Sequence, residues 1–214
     1  VGVTGALSVT SGETITDSGV ITVGQTSAFT TDVNNKAINL GSSNAMSGNI
    51  TVTTQGTSGN VTIDNGTTAL GIQGTVNGAL DLTAGAAITD SNTLTVSGTS
   101  SFTIDNGSNH ITLGTAALTG AIGVSTSGTS NFTLDNTTTA VNLGTVGVTG
   151  ALSVTSGETI TDSGVITVGG TATFVTDVDD IDITLDQSNA ITGALTFTTQ
   201  TSASNNGADI TLNN

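Results

Sequence analysis

A long exact repeat is the feature that most constrains the fold of this chain. Residues 1–24 recur letter for letter as residues 146–169, and residues 78–102 form a looser gapless copy that agrees with residues 5–29 at 14 of 25 positions. A fixed period of this kind is typical of repeat proteins, in which each unit packs on its neighbours rather than around one central core. We therefore count the chain in repeats.

The motif Gly-Ala-Leu, or a close variant, marks the start of each unit. Long and short units alternate, so that one long and one short unit form a pair. We predict one continuous domain over residues 1–214, in which residues 1–4 end a preceding unit. Its units are residues 5–47, 48–77, 78–119, 120–149, 150–192 and 193–214.

Short runs of Val, Ile and Leu alternate with polar residues and are separated by Gly, Asp and Asn. Alternation over a few positions predicts strands with one buried face, and no apolar spacing is long enough to indicate a significant helix. The short gaps also suit antiparallel hairpins, but the repetition favours stacked coils in which equivalent residues form columns. We predict an all-β parallel β-helix, a β-solenoid, of about 9–11 coils, roughly three to four for each pair.

The charge of the chain excludes several classes of partner. Lys36 is the one basic residue against 16 acidic residues, which gives a net charge of −15. Such a chain repels phosphate backbones and anionic lipids, and no apolar run approaches the ~20 residues that span a bilayer. We therefore expect no nucleic-acid partner and no membrane insertion. Because cysteine is absent, the sequence contains neither disulfides nor thiolate metal ligands.

Four phenylalanines, Phe29, Phe102, Phe132 and Phe174, occupy equivalent positions in the repeat. We predict that they form a structural stack of aromatic rings in the core. The alternative is an exposed platform on which sugar rings stack.

Asp-Asn pairs follow two of these phenylalanines and Val61, which takes the place of phenylalanine in one short unit. The pairs are Asp64-Asn65, Asp105-Asn106 and Asp135-Asn136. These residues suit either turns or an inward ladder of asparagine amides that hydrogen-bond along the stack.

The sequence contains no pattern that indicates an enzyme. His110 is the one histidine, and the corresponding position of the next repeat is Ala140, so we interpret it as a turn or surface residue. Most carboxylates, including Asp17, Asp90 and Asp162, are copied between repeats, whereas a single active site would break the repeat. Polysaccharide cleavage by paired carboxylates is the less favoured alternative. We expect no catalytic residues and no organic cofactor.

One segment does break the repeat by charge. Residues 177–186 read DVDDIDITLD where the earlier copy reads DVNNKAINLG. In strand phase Ile181, Ile183 and Leu185 point inward, which leaves Asp180, Asp182 and Asp186 on the outer face. Because Ca²⁺ prefers oxygen ligands, the segment supports the hypothesis of a calcium site. Its candidate ligands are Asp177, Asp179, Asp180 and Asp182. A solvated acidic face is the simpler interpretation.

Thr-x-Thr triplets are frequent, and a regular array of them would indicate an ice-binding β-solenoid. They lie at residues 14–16, 51–53, 93–95, 159–161, 171–173 and 196–198. Because these triplets fall in different strands of the two unit types, we expect them not to recur at one coil period. Ordinary strand propensity is then the simpler explanation, and ice binding is an alternative function.

Units such as GALSVTSGETITDSGVITVGGTATF, with the segments TIDN and ITLG, resemble the Thr/Gly/Asn-rich strand repeats of bacterial surface exoproteins. These include filamentous-haemagglutinin-like passengers of two-partner secretion and giant repeat adhesins. The resemblance implies a right-handed parallel β-helix that is exported and displayed as a fibre at the bacterial surface.

From the repeats and this resemblance we expect a structural extracellular filament or stalk that serves adhesion, biofilm or sheath formation. Its nearly in-phase, uncapped ends would meet other copies or flanking repeats of the same chain, and surface glycans are a further candidate partner. A module that binds polysaccharide or Ca²⁺ is the alternative.

Overall fold

The computed structural model describes residues 1–202 and 207–214. Within these residues the chain forms 26 β-strands and no helix. The short alternating runs of apolar and polar residues explain this, because side chains of a strand point alternately to opposite faces and one face can then be buried throughout. The prediction of an all-β chain is confirmed.

The strands are short and follow one another closely. The first nine are β1 (Gly2–Val3), β2 (Leu7–Ser11), β3 (Ile15–Thr16), β4 (Thr22–Val23), β5 (Ser27–Asn34), β6 (Ile38–Leu40), β7 (Ala45–Met46), β8 (Ile50–Gln55) and β9 (Val61–Asp64). The next nine are β10 (Leu70–Val76), β11 (Leu80–Ala84), β12 (Ile88–Val96), β13 (Ser100–Ile104), β14 (Ile111–Leu113), β15 (Ala116–Leu118), β16 (Ala121–Ser125), β17 (Phe132–Asp135) and β18 (Val141–Val148). The last eight are β19 (Leu152–Ser156), β20 (Ile160–Asp162), β21 (Ile166–Val168), β22 (Ala172–Asp179), β23 (Ile183–Leu185), β24 (Ala190–Ile191), β25 (Leu195–Gln200) and β26 (Ile210–Leu212).

These strands form two long parallel sheets and one short one. Sheet 1 has the order β2-β5-β8-β10-β12-β14-β17-β19-β22-β25, with β15 beside β12. Sheet 2 has the order β3-β6-β9-β11-β13-β16-β18-β20-β23-β26, with β21 beside β18 and β24 beside β21. The short sheet is β1-β4-β7. Because the chain alternates between the two long sheets, each circuit adds one strand to both, and the fold is a parallel β-solenoid, as predicted.

The length of one coil follows from the residues that pair on adjacent coils. Two register partners on adjacent coils are separated in sequence by the length of one coil. This separation is smaller for Leu70 and Ile88, and larger for Ile183 and Ile210, than it is for Ile38 and Val61. Each of these spacings is smaller than the shorter of the two sequence units, so a unit is longer than a coil. The chain makes about nine coils, at the lower end of the predicted number.

Inward side chains of both long sheets form one continuous apolar core. Along sheet 2, for example, Ile38, Val61 and Leu80 pair in register on consecutive coils, and each is at most 1% exposed. Full burial of such a side chain contributes about 1.5–3 kcal/mol relative to exposure. The coils therefore stabilise each other through their apolar columns, as expected for a repeat protein.

One pair of sequence units corresponds to three and a half coils. Leu7 lies in sheet 1, the equivalent Leu80 lies in sheet 2, and Leu152 lies in sheet 1 again. Two pairs make seven coils, so the exact copy at residues 146–169 returns to the same sheets as residues 1–24. Sheets 1 and 2 are thus built from the same repeated sequence, shifted by half a coil.

The predicted phenylalanine stack is wrong as a single column, although all four rings are buried as expected. The half-coil shift explains the difference, because it places Phe102 in sheet 2 and Phe29, Phe132 and Phe174 in sheet 1. Every one of these rings has an aliphatic register partner on at least one side. The stacked aromatic pair is instead Phe174 with Phe197, whose centroids are 5.5 Å apart.

In two of the three Asp-Asn pairs the asparagine side chain pairs with the last strand of a short strand ladder, and the asparagines do not stack on one another. Asn65 and Asn136 are fully buried, and each hydrogen-bonds to the last strand of a short ladder. Asp64 and Asp135 close turns by accepting the backbone N–H two residues later. Asn106 is exposed, so the third pair has no inward role.

Candidate functional surfaces

The acidic segment 177–186 lies at a corner between β22 and β23. Asp177 and Asp179 are exposed at the end of β22, and Asp182 is exposed before β23 begins. Asp180 turns the chain with a φ of 61°, in the left-handed region. The four candidate calcium ligands are therefore spread around a bend of the backbone rather than along one strand face.

The apolar residues of the same segment follow the predicted alternation only within the strand. Ile183 and Leu185 belong to β23 and are fully buried, as strand phase predicted. Ile181 is only half-buried, because it lies in the corner before the strand begins.

Two of the candidate calcium ligands hydrogen-bond to the next coil. Asp180 Oδ2 accepts a hydrogen bond from Ser202 Oγ at 2.8 Å, and Asp182 Oδ1 accepts one from the backbone N–H of Asp209 at 2.8 Å. In residues 1–202 and 207–214, no three side chains of His, Cys, Asp or Glu are grouped so that they could hold a metal ion. The structure therefore does not bring Asp177, Asp179, Asp180 and Asp182 together as a preformed cation site.

The repeated carboxylates connect neighbouring coils. Asp162 accepts hydrogen bonds from the backbone N–H of Asp186 at 2.9 Å and from Asn189 Nδ2 at 2.8 Å. Asp17, which is equivalent to Asp162 in the exact copy, likewise accepts a hydrogen bond from Asn44 Nδ2 at 2.8 Å. A carboxylate that accepts a backbone N–H satisfies a donor that the corner would otherwise leave unpaired. This structural role explains why these residues recur with the repeat.

His110 is exposed at the entry to β14, and its Nδ1 accepts a hydrogen bond from the backbone N–H of Asn131 on the next coil at 3.1 Å. Within the described chain no carboxylate is hydrogen-bonded to this imidazole. The imidazole of His110 therefore helps to pair two neighbouring coils.

The outward face of sheet 1 contains threonines that stack in register. The Thr-x-Thr triplets themselves do not stack: where two of them lie on neighbouring coils, Thr173, the last residue of one, pairs with Thr196, the first residue of the other. The first threonine column consists of Thr10, Thr30, Thr53, Thr75 and Thr95. The second threonine column consists of Thr89, Thr112, Thr133, Ser153, Thr173 and Thr196. Both columns cross β12, which contains Thr89 and Thr95.

Sequence reasoning missed these columns because it compared triplets at the spacing of the units. The columns follow the coil, whose length is variable and not visible in the unit period. The available signal was one threonine per coil, and it becomes evident only when strand register is known.

The first and last coils expose part of the core. Leu7 and Val9 of β2, and Leu195 and Phe197 of β25, are only partly buried against the apolar core. In β26, Ile210 is 47% exposed and Leu212 is 39% exposed. Each of these strands is at the end of its sheet and leaves one edge unpaired. Both ends therefore present apolar side chains together with open strand edges.

Among the described residues there is no helix with the length and apolar character needed to cross a membrane.

One family of known sequences matches this chain, and it does so three times. Its model, described as repeats of unknown function, matches residues 1–55, 58–128 and 129–198. The second and third matches are each close in length to one long and one short unit together. No curated protein and no solved structure is significantly similar to the chain. Since the matches cover most of its length, the chain belongs to the DUF5649 family of repeats.

Proposed function

We propose that this β-solenoid is a structural filament or stalk of the bacterial surface, assembling or continuing end to end and serving adhesion, biofilm or sheath formation. Its resemblance to strand-repeat exoproteins and its membership of a repeat family support the proposal. In a solenoid each added coil extends the molecule by about 4.8 Å, so repetition produces length directly.

The observation that carries the proposal is that the first and last coils have unpaired strand edges and partly exposed apolar side chains. An unpaired strand edge is a template for another strand, and a soluble protein normally blocks it with charge, proline or a covering element. Here β2 and β25 combine open edges with the partly buried side chains of Leu7, Val9, Leu195 and Phe197. A further coil, from a second copy or from flanking repeats, would bury these side chains and pair both edges.

An extracellular location fits the composition. Cysteine is absent, so the fold needs no disulfide chemistry during export, and the core forms from similar local steps along the chain. Outward hydroxyl and amide groups of sheet 2, such as those of Asn39 and Thr62, can hydrogen-bond to surface glycans, which we propose as the adhesive partner.

Electron microscopy and sedimentation of residues 1–214 test end-to-end assembly. We expect fibres whose length grows with protein concentration. The variant Leu195→Asp places a charge on the inward side of the last long strand and should leave single particles. The matched control, Thr196→Asp, places the same charge on the outward side of the same strand and should still form fibres.

Well-dispersed single particles of the unchanged chain at high concentration would overturn assembly between copies. Fibres of equal length from Leu195→Asp and Thr196→Asp would show instead that association occurs elsewhere than at the terminal coil.

A further inference from the structure

We propose that the two threonine columns of sheet 1 form an ice-binding surface. This function is distinct from end-to-end assembly, because the columns lie along the side of the solenoid and the open edges lie at its ends.

The spacing of the columns is set by the backbone. Consecutive members such as Thr112 and Thr133 are direct register partners, which places them about 4.8 Å apart across the sheet. Where two outward residues of one strand both carry hydroxyls, as at Thr196 and Thr198, they are separated by about 6.6 Å along the strand. Each column therefore presents hydroxyl and methyl groups at a regular interval in a single row, and the two rows follow one another along the solenoid and overlap only at β12.

The hydroxyl groups are available to an external partner. In the second column Thr89, Thr112, Thr133 and Thr196 are exposed, and Ser153 and Thr173 are half-buried. None of the eleven side chains of the two columns donates or accepts a hydrogen bond within the described part of the chain. Threonine is stiff at χ1, so ten of the eleven groups lose little rotational freedom when they bind a rigid partner.

Charge indicates which partner this face fits. Neither column contains a charged residue, although the chain has a net charge of −15. Asp135 lies beside the second column, two residues after Thr133, where its carboxylate accepts the backbone N–H of Thr137, and the carboxylates of residues 177–186 lie at a corner. An ionic partner therefore finds no counter-charge in the columns, whereas ice is an uncharged lattice of hydrogen-bond donors and acceptors.

A flat polysaccharide is the other uncharged partner with a regular surface, but this face lacks the aromatic rings on which sugars stack. The sequence has neither Trp nor Tyr, and four of its five Phe side chains are fully buried. Threonine supplies a methyl group beside each hydroxyl, and an ordered water layer can form around the methyl groups while the hydroxyls continue its hydrogen bonding. Ice is thus the partner that the chemistry of the face favours.

Thermal hysteresis and the shape of growing ice crystals test the proposal in the chain 1–214. We expect the unchanged protein to lower the freezing point relative to the melting point and to shape crystals. Thr112→Lys with Thr133→Lys should abolish both effects, since two hydrated charges interrupt the second column. The milder Thr112→Ala with Thr133→Ala, which fits the same space, should reduce the hysteresis several-fold.

The matched control carries the same two charges on the opposite face. Ser125 and Thr167 are exposed, outward residues of sheet 2, and Ser125→Lys with Thr167→Lys should retain the hysteresis. Circular dichroism establishes that all variants keep the sheet signal. Absence of hysteresis and ice shaping in the unchanged protein would overturn the proposal, as would an equal loss in the sheet 1 and sheet 2 variants. Leu195→Asp separates this function from assembly, because it should prevent fibres and leave ice shaping intact.

Discussion

The side chain of Asn65 pairs with the backbone of Met46 as a further strand would. Asn65 Oδ1 accepts the N–H of Met46 at 2.9 Å, and Asn65 Nδ2 donates to the carbonyl oxygen of Met46 at 3.1 Å. The same two bonds join Asn136 to Leu118 and Asn214 to Ile191. A primary amide has the donor and acceptor of a peptide group, so one side chain satisfies both groups at the end of a short ladder.

We expect Asn65→Ala to destabilise the fold strongly, because it leaves the buried N–H and C=O of Met46 unpaired. Each unsatisfied buried group costs about 1–3 kcal/mol. Urea unfolding followed by circular dichroism measures the loss. Asn106→Ala is the matched control: Asn106 follows an equivalent strand but is exposed, and its replacement should change stability little. Equal losses from the two variants would contradict the role of Asn65.

Gly74 is a second position where one residue type is required. It pairs with Val52 on one neighbouring coil and Leu94 on the other, at a register shift in sheet 1, and its φ is 114°. A Cβ atom here would collide with the carbonyl oxygen of Val52. Gly74→Ala should therefore lower the free energy of unfolding by about 1–3 kcal/mol, as measured by urea unfolding. Gly19→Ala, where an added Cβ meets no atom within 4 Å, should be tolerated.

The stacked rings of Phe174 and Phe197 predict a measurable coupling between the last two long strands of sheet 1. Their planes are inclined by 17°, and such pairs contribute about 0.5–1.5 kcal/mol beyond the area that they bury. A double-mutant cycle with Phe174→Leu and Phe197→Leu measures this term from urea unfolding. The cycle of Phe29→Leu with Val52→Ala, a register pair with one ring, provides the reference. Coupling no larger than that of the reference pair would exclude a specific ring contribution.

Calcium should produce no saturable heat in a titration of the chain 1–214. The carboxylates of Asp180 and Asp182 already accept hydrogen bonds from the next coil, and the described residues form no cluster that could hold a metal. Isothermal calorimetry on the unchanged chain and on Asp180→Asn with Asp182→Asn provides the test. Saturable heat that disappears in the double variant would restore the calcium hypothesis from the sequence.

Most of the fold follows from sequence pattern. Period-two alternation predicted strands, and repetition predicted coils, because columns of like residues require parallel stacking in register. Ile183 and Leu185 are buried where that alternation put them. The apolar pattern carries this information locally, so a single unit is enough to read it.

The relation between unit and coil could not be read in the same way. Gly-Ala-Leu marks equal sequence positions, and nothing in the motif tells whether the next copy completes a whole or a half coil. Phe102 therefore appeared to continue the column of Phe29, although it lies in the other sheet. The sequence allows an inward amide at Asn65, but the role of this amide at the end of a strand ladder depends on which strand lies on the neighbouring coil.

Because of the half-coil shift, the number of repeat pairs determines how the coils beyond them are rotated about the long axis. Duplication of one pair turns everything beyond it by half a revolution about the long axis, whereas duplication of two pairs moves it outward without turning it. A lineage that gains or loses pairs can thus direct a distal feature, such as the second threonine column, toward either side of a fibre. Whether the number of repeat pairs is odd or even, rather than any substitution, would then determine the direction in which that distal feature faces.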